Sequence, residues 1–400
     1  MTSTRLFSNP FRPGAGHPPP FLAGRTAERS EFERLLGQDV ILENLVLTGL
    51  RGVGKTVLLD TLKPVAISAG WLWVGTDLSE STSLSEERVA VRLITDLAVA
   101  TSSIKIGESE TRGLGFGAQP TSVARTLDFA IMKQLYDSTP GLAADKLKAL
   151  LELVWRVLSQ VGKRGIVFAY DEAQNMTDHA KRDEYPLSLM LDVFQSIQKK
   201  GAPLMLVMVG LPTLFPKLVD ARTFAERMFR VVFLQRLGDR DCRDAIVKPI
   251  DDAACPVHLS ESSIATIVEM SAGYPYFVQF ICREVFDAFA QGQESVPVDE
   301  ITRKLDSDFF AGRWARATDR QRDLLAVIAT LDHTSEEFTV QELVERSKEL
   351  LRKPFSASHI NQMLAVLANN GLIYKNRYGK YSFAVPLMDR FIGRQAPLGS

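Results

Sequence analysis

Residues Gly49-Leu50-Arg51-Gly52-Val53-Gly54-Lys55-Thr56 fit the spacing G-x-x-x-x-G-K-[ST], and the apolar run Leu45-Val46-Leu47 stands immediately before them. Glycines at these positions let the backbone curl until successive N–H groups point inward at an anion. A helix beginning near Lys55 adds its positive end. Behind the loop, Val57-Leu58-Leu59 with Leu62 supply an apolar helical face. Strand, glycine loop and helix in that order belong to α/β layers, and the ligand such a loop takes is a nucleoside triphosphate. Gly49, Arg51, Gly52, Val53, Gly54, Lys55, Thr56 and Val57 would surround the phosphates, Lys55 reaching the outer ones and Thr56 giving its hydroxyl to Mg²⁺. A glycine turn with no ligand is the competing account; the strand ahead and the helix behind argue against it.

The chain has 400 residues, more than one core usually holds, so two or three compact units are expected. Net charge is −1, which excludes a uniformly basic coat for nucleic acid but not a local basic surface. Cys242, Cys255 and Cys282 are odd in number and widely spaced, which reads as reduced thiols rather than a metal site or disulfide framework. With no apolar run of spanning length and no signal-peptide order at the N-terminus, the expected protein is soluble and cytoplasmic, with no membrane partner.

Residues 1–20 are too rich in proline and glycine for regular structure and read as an extended arm, laid on the next domain through Phe7, Phe11 and Phe21. Residues 21–238 alternate helix and strand signals. Helices are expected at Arg25–Leu36, Ser85–Val99 and Asp145–Val161, and strands at Leu45–Leu47, Trp71–Gly75, Gly165–Tyr170 and Leu204–Val209. That alternation predicts a three-layer α/β core around a parallel sheet. The stretch Thr101–Arg125, with Gly113-Leu114-Gly115-Phe116-Gly117, reads as a mobile loop. It lacks the preceding strand and full spacing of a dinucleotide fingerprint.

Amphipathic helices dominate residues 239–316, as in a helical lid. Residues 317–395 suggest helices at Asp319–Leu331, Val340–Leu351 and Ala357–Asn369, then strands at Leu372–Lys375 and Tyr381–Ala384, the order of a winged helix-turn-helix. Residues 396–400 form a tail without signal.

Asp171-Glu172 closes the apolar strand Gly165–Tyr170. A carboxylate there can hold the Mg²⁺ shell, which assigns Asp171, while Glu172 can orient water for attack on a γ-phosphate. An acidic turn capping a helix is the plainer alternative.

With these motifs in hand, the chain resembles the AAA+ ATPases, in the branch that joins origin-recognition initiators to STAND regulatory switches. Phe21-Leu22-Ala23-Gly24-Arg25, the loop Gly49–Thr56, Asp171-Glu172-Ala173-Gln174, Gly273-Tyr274-Pro275-Tyr276 and the winged helix carry the resemblance. It implies an ATPase using ATP and Mg²⁺. Gly24 and Arg25 fall where the family contacts adenine, Thr213 after Gly210 where it senses the γ-phosphate, and Arg227 where it sends an arginine finger into a neighbouring subunit. Arg222 and Arg230 compete for that role. Where initiators place a lid arginine, this chain has Tyr276, with Arg283 two turns further on as a possible substitute. That departure points to a slow, switch-like enzyme. The resemblance also implies a homo-oligomer with its ATP site shared between subunits.

In the third helix of the winged unit, Ile360, Met363, Leu364 and Leu367 face inward, leaving His359, Asn361 and Gln362 for base edges. Lys375, Arg377 and Lys380 on the wing are the phosphate contacts. Double-stranded DNA is therefore the expected partner. The alternative is a STAND-like switch in signalling or defence whose winged helix docks on protein.

Overall fold

The computed structural model describes residues 8–14, 16–111, 121–252, 257–331, 337–375 and 379–395; for 106–111 and 121–125 it describes the backbone alone. Tight contacts divide the chain into two units. One holds Thr26–Thr48 and Leu58–Phe233; the other holds the described residues up to Arg25, the segment Gly49–Val57 and the described residues from Leu234 onward. These units cut across the division into core, lid and winged helix expected from the sequence. Within the second unit, the Arg25 side chain and the Tyr276 N–H both bond to carbonyls of the phosphate loop, as described below.

The first part of the chain runs α1 (Thr26–Leu36), β1 (Asn44–Gly49), α2 (Lys55–Ser68), β2 (Trp71–Val74), α3 (Glu86–Thr101), β3 (Lys105–Thr111), β4 (Thr121–Thr126), α4 (Phe129–Ser138) and α5 (Ala143–Gln160). It continues with β5 (Gly165–Tyr170), α6 (Pro186–Lys199), β6 (Leu204–Gly210), α7 (Leu214–Ala221), α8 (Ala225–Met228) and β7 (Phe229–Leu234). The main sheet has the order β2-β5-β6-β1-β7, and the pairs β2–β5, β5–β6 and β6–β1 are parallel. Every residue of β1, β5 and β6 is buried, as strands covered on both faces must be. The start of β1 is fixed by a buried amide pair. Asn44 Oδ1 accepts from the Leu206 N–H at 2.7 Å and from Gln198 Nε2 at 2.8 Å, while Gln198 Nε2 also reaches the Leu204 carbonyl at 2.7 Å. Satisfied buried amides of this kind set register, since a one-residue slip would orphan all of them.

In the segment read as a mobile loop, the described residues, 101–111 and 121–125, lie mostly in helix and strand. α3 continues to Thr101, and β3 and β4 pair antiparallel from Lys105↔Thr126 to Thr111↔Thr121, with an irregularity between Lys105 and Gly107. Its base is pinned where Thr101 Oγ1 donates to the Leu127 carbonyl at 2.6 Å. The hairpin escaped sequence reasoning because its strands are polar, and cross-strand backbone bonding leaves no apolar alternation to find. Gly113–Gly117 lie outside the described residues.

The rest of the chain carries α9 (Asp239–Asp252), α10 (Glu261–Ser271), α11 (Pro275–Ala290), α12 (Val298–Leu305), a π-helical turn at Asp306–Ala311 and α13 (Gly312–Trp314). The winged unit follows: α14 (Asp319–Ala329), α15 (Val340–Leu350), α16 (Ala357–Asn369), β8 (Ile373–Lys375), β9 (Tyr381–Phe383) and α17 (Met388–Arg394). Its helices start where the sequence caps them. Thr318 with Gln321 and Thr339 with Glu342 form capping boxes, and Ser356 accepts from the His359 N–H. α17, unexpected from the sequence, ties the winged unit to the lid through the Phe310–Phe391 ring stack at 5.2 Å and the Arg394–Asp306 ion pair.

The amino-terminal arm lies on lid helices rather than on the sheet domain that follows it in sequence. Phe11 is buried among lid residues, Asn9 Nδ2 donates to the Arg283 carbonyl at 2.9 Å, and the Phe21 ring lies 4.3 Å from Lys248 Nζ. Phe7 lies outside the described residues. Cys242 and Cys282 are free and buried; Cys255 is outside the described residues.

Candidate functional site

The phosphate loop is shaped by two left-handed glycines, Gly52 at φ 76° and Gly54 at φ 91°, conformations that only glycine adopts without strain. α2 begins at Lys55, so the positive end of the helix opens onto the loop. Lys55 Nζ donates to the Gly49 and Leu50 carbonyls, each at 2.9 Å, which holds the ammonium over the loop. Gly49 has no room for a side chain: a Cβ there would stand 2.7 Å from the Leu234 carbonyl oxygen. Thr56 and Val57 occupy the first turn of α2 and are half-buried.

Three elements of the same unit brace this loop. Arg25, itself left-handed at φ 68° after Gly24 at φ 66°, donates through Nη2 to the Val53 carbonyl at 2.9 Å and the Gln235 carbonyl at 2.8 Å. The Tyr276 N–H, at the start of α11, donates to the Gly52 carbonyl at 3.1 Å. Arg51 reaches the turn between α16 and β8, where a Cβ on Gly371 would sit 3.5 Å from its Nη2. The Tyr276 ring packs in an aromatic cluster, with centroids 5.1 Å from Phe309 and 5.5 Å from Phe277, and burial pushes its hydroxyl pKa up. Arg283, the possible lid substitute, is paired with Glu284 at 2.8 Å.

In the other unit, Asp171 and Glu172 leave the carboxyl end of β5. Asp171 is 4% exposed, and its Oδ1 accepts from the Glu172 N–H at 2.7 Å. Glu172 takes a left-handed backbone, φ 51°, and turns its side chain to solvent. Gln174 Nε2 donates to Glu172 Oε2, while Gln174 Oε1 accepts from the Leu211 N–H at 3.1 Å. Thr213 follows in that turn as the residue before α7, half-buried, its side chain making no cap bond. Lys217 Nζ donates to the Gln174 carbonyl at 2.7 Å, and burial lowers its pKa.

Along the chain, the phosphate loop follows β1 and the acidic pair follows β5.

The three competing arginines separate clearly. Arg222 pairs bidentately with Asp192 at 2.9 and 2.7 Å, and Arg230 pairs with Glu31 at 2.7 Å. Arg227, on α8, is exposed and forms no ion pair among the described residues.

On α16, Asn361 and Gln362 are exposed, although Asn361 Nδ2 also bonds back to the Ala357 carbonyl at 2.9 Å. His359 is half-buried with its ring against Phe355, centroids 5.7 Å apart. Lys375 Nζ lies 5.9 Å from the Tyr381 ring centre, and Lys380 is paired with Glu337 at 3.5 Å. Arg377 lies outside the described residues.

Sequence reasoning did not single out four cations that lie near these residues in space or in the chain. Lys217 and Arg313 gave no motif; Arg313 packs on the Phe309 ring at 4.4 Å, and burial, then the charge of Arg51, lowers its pKa. Arg352 and Lys353, exposed just before α16, were legible as a basic pair at the helix start.

A family model described as a domain of unknown function (DUF8462) matches residues 307–392. No curated protein matches the chain. Among solved structures, the Walker-type ATPase PABY2304 of Pyrococcus abyssi is similar over 93% of this chain and 96% of its own, at TM-score 0.58 and 14% identity. The ORC2 protein of Aeropyrum pernix in its ADP form is similar over 95% of each chain, at TM-score 0.53 and 15% identity. Its ADPNP–ADP complexes match over 98% of this chain and 96% of that one, at TM-score 0.50 and 14% identity.

Proposed function

Because the chain has the P-loop AAA+ fold with a helical lid and a carboxy-terminal winged helix, we propose that it binds ATP with Mg²⁺, hydrolyses the γ-phosphate bond, and couples this cycle to duplex DNA. The observation that carries the reading is the phosphate loop: left-handed Gly52 and Gly54, Lys55 Nζ held over the loop, and α2 opening behind it. The donor set suits the metal. Mg²⁺ takes oxygen ligands and is usually held by a few protein oxygens together with phosphates, and Thr56 offers a hydroxyl and Asp171 a buried carboxylate. When bound, the ion supplies positive charge to the phosphate oxygens. Lys55 neutralises the outer phosphates, the Gly49–Thr56 backbone fixes their position, and Glu172 orients the attacking water. Gly24 and Arg25 flank the adenine, and Thr213 senses the γ-phosphate. Arg227 completes the site of a neighbouring subunit in a homo-oligomer, a role supported by its freedom from ion pairs among the described residues while Arg222 and Arg230 are engaged.

The winged helix presents Asn361 and Gln362 to base edges and Lys375, Arg377 and Lys380 to phosphates. A second reading, docking on protein in a STAND-like switch, is favoured by the Lys380–Glu337 pair, which removes part of the wing's charge. Binding of duplex DNA across a salt series, with and without ATP analogue, decides between them. A steep slope that falls when Lys375, Arg377 and Lys380 are neutralised supports DNA; a flat slope with no loss moves the winged helix to protein.

A further inference from the structure

We propose that Gln174 is a positioning residue that holds the Glu172 carboxylate and ties it to the turn at the carboxyl end of β6. The inference rests on the ATPase reading and names how that site keeps its water-orienting group in place.

Glu172 is in a poor position to hold itself. Its backbone is left-handed at φ 51° and ψ 31°, a region non-glycine residues rarely occupy, and its side chain is exposed. A glutamate on such a turn has several rotamers available, and a group that must orient water needs one. Gln174, two residues on, supplies the restraint. Its Nε2 donates to Glu172 Oε2, which leaves the other carboxylate oxygen available to water.

The amide is itself anchored. Its Oε1 accepts from the Leu211 N–H at 3.1 Å, its backbone carbonyl accepts from Lys217 Nζ at 2.7 Å, and Lys217 is half-buried. β6 makes room for it by ending in glycine: a Cβ on Gly210 would lie 2.5 Å from Gln174 Oε1. The Gln174 amide thus gives a donor on one side and an acceptor on the other. The result is an unbroken path from Glu172 through Gln174 to the Gly210–Thr213 turn, so displacement of that turn pulls on the group that orients water.

The test is steady-state ATP hydrolysis, with ATP-analogue affinity measured separately, on wild type, Lys55→Ala, Gln174→Ala, Gln174→Glu and Gly210→Ala. Gln174→Ala should lower kcat about tenfold while analogue affinity stays within about twofold, the pattern of a lost transition-state interaction. Gly210→Ala should act in the same direction, because its methyl would meet Gln174 Oε1 first, at 2.5 Å, and crowd Leu214 Cδ2 and the Gln174 backbone nitrogen less closely, at 3.1 and 3.3 Å. Gln174→Glu removes the Nε2 donor and sets a second carboxylate beside Glu172, and should lower kcat at least as far as Gln174→Ala with analogue affinity again retained. Unchanged kcat in the Gln174 variants overturns the inference alone, as does a loss of kcat matched by an equal loss of affinity, which marks a purely structural role. Equal rates in wild type and Lys55→Ala overturn the ATPase reading and this inference with it.

Discussion

The phosphate loop and the wing each present lysine to a polyanion in the reading proposed above, yet they are built to different tolerances. In the loop, backbone conformation does the work. Gly52 and Gly54 are left-handed, Gly49 has the Leu234 carbonyl where a Cβ would go, and Lys55 Nζ is fixed by two carbonyls at 2.9 Å. On the wing, Lys375 and Lys380 are exposed heads on flexible stems, one near a tyrosine ring and the other shared with Glu337. A site made of converging backbone groups fails as a whole when one part is removed. A surface of screened charges loses affinity in small, separable steps.

The sharpest break of that contrast is Lys55→Ala, which should weaken ATP-analogue binding by roughly 100-fold or more, the cost of removing a cation from a phosphate site. Equilibrium binding with a fluorescent analogue measures it, and an affinity near wild type would put the loop among additive surfaces. Next in size is Glu172→Gln. It should bind the analogue normally and lower kcat by about 10²- to 10³-fold, the range of a lost general base; normal turnover would reassign the water-orienting role. Arg227→Ala should lose turnover on its own and recover when mixed with subunits that carry Arg227 but have Lys55→Ala. Turnover indifferent to both the substitution and the mixing would remove the shared site.

The smallest effect belongs to the wing. Lys375→Ala should reduce the salt slope of DNA binding by about 1, whereas Lys380→Ala should reduce it by less, because Glu337 already neutralises part of that charge. Equal slopes for the two variants would show that the Glu337 pair opens when DNA binds.

Legibility in the sequence followed the range of the interactions. Strand Gly165–Tyr170 was read to its end residues, and α16 likewise, since an unbroken apolar run and a capped amphipathic helix are local signals. The β3–β4 hairpin was not, because its polar strands owe their pairing to each other. α17 and the placement of the amino-terminal arm were also hidden; both depend on partners far away in the chain, such as Phe310 for Phe391 and Arg283 for Asn9.

The candidate site divides in the same way. Gly49–Thr56 and Asp171-Glu172 stood out because phosphate cradling and metal holding demand particular residue types at fixed spacing. Gln174 carries no role in the Asp171–Gln174 motif by its sequence, and nothing near it in sequence signals Leu211, 37 residues on, or the room left at Gly210. Likewise, Arg222, Arg227 and Arg230 are indistinguishable as letters, and separate only once Asp192 and Glu31 claim two of them. Backbone conformation and capping are paid within a few residues, so they can be read from the string. Which amide meets which carboxylate, and which arginine stays unclaimed, depends on distances across the folded chain that no local pattern encodes.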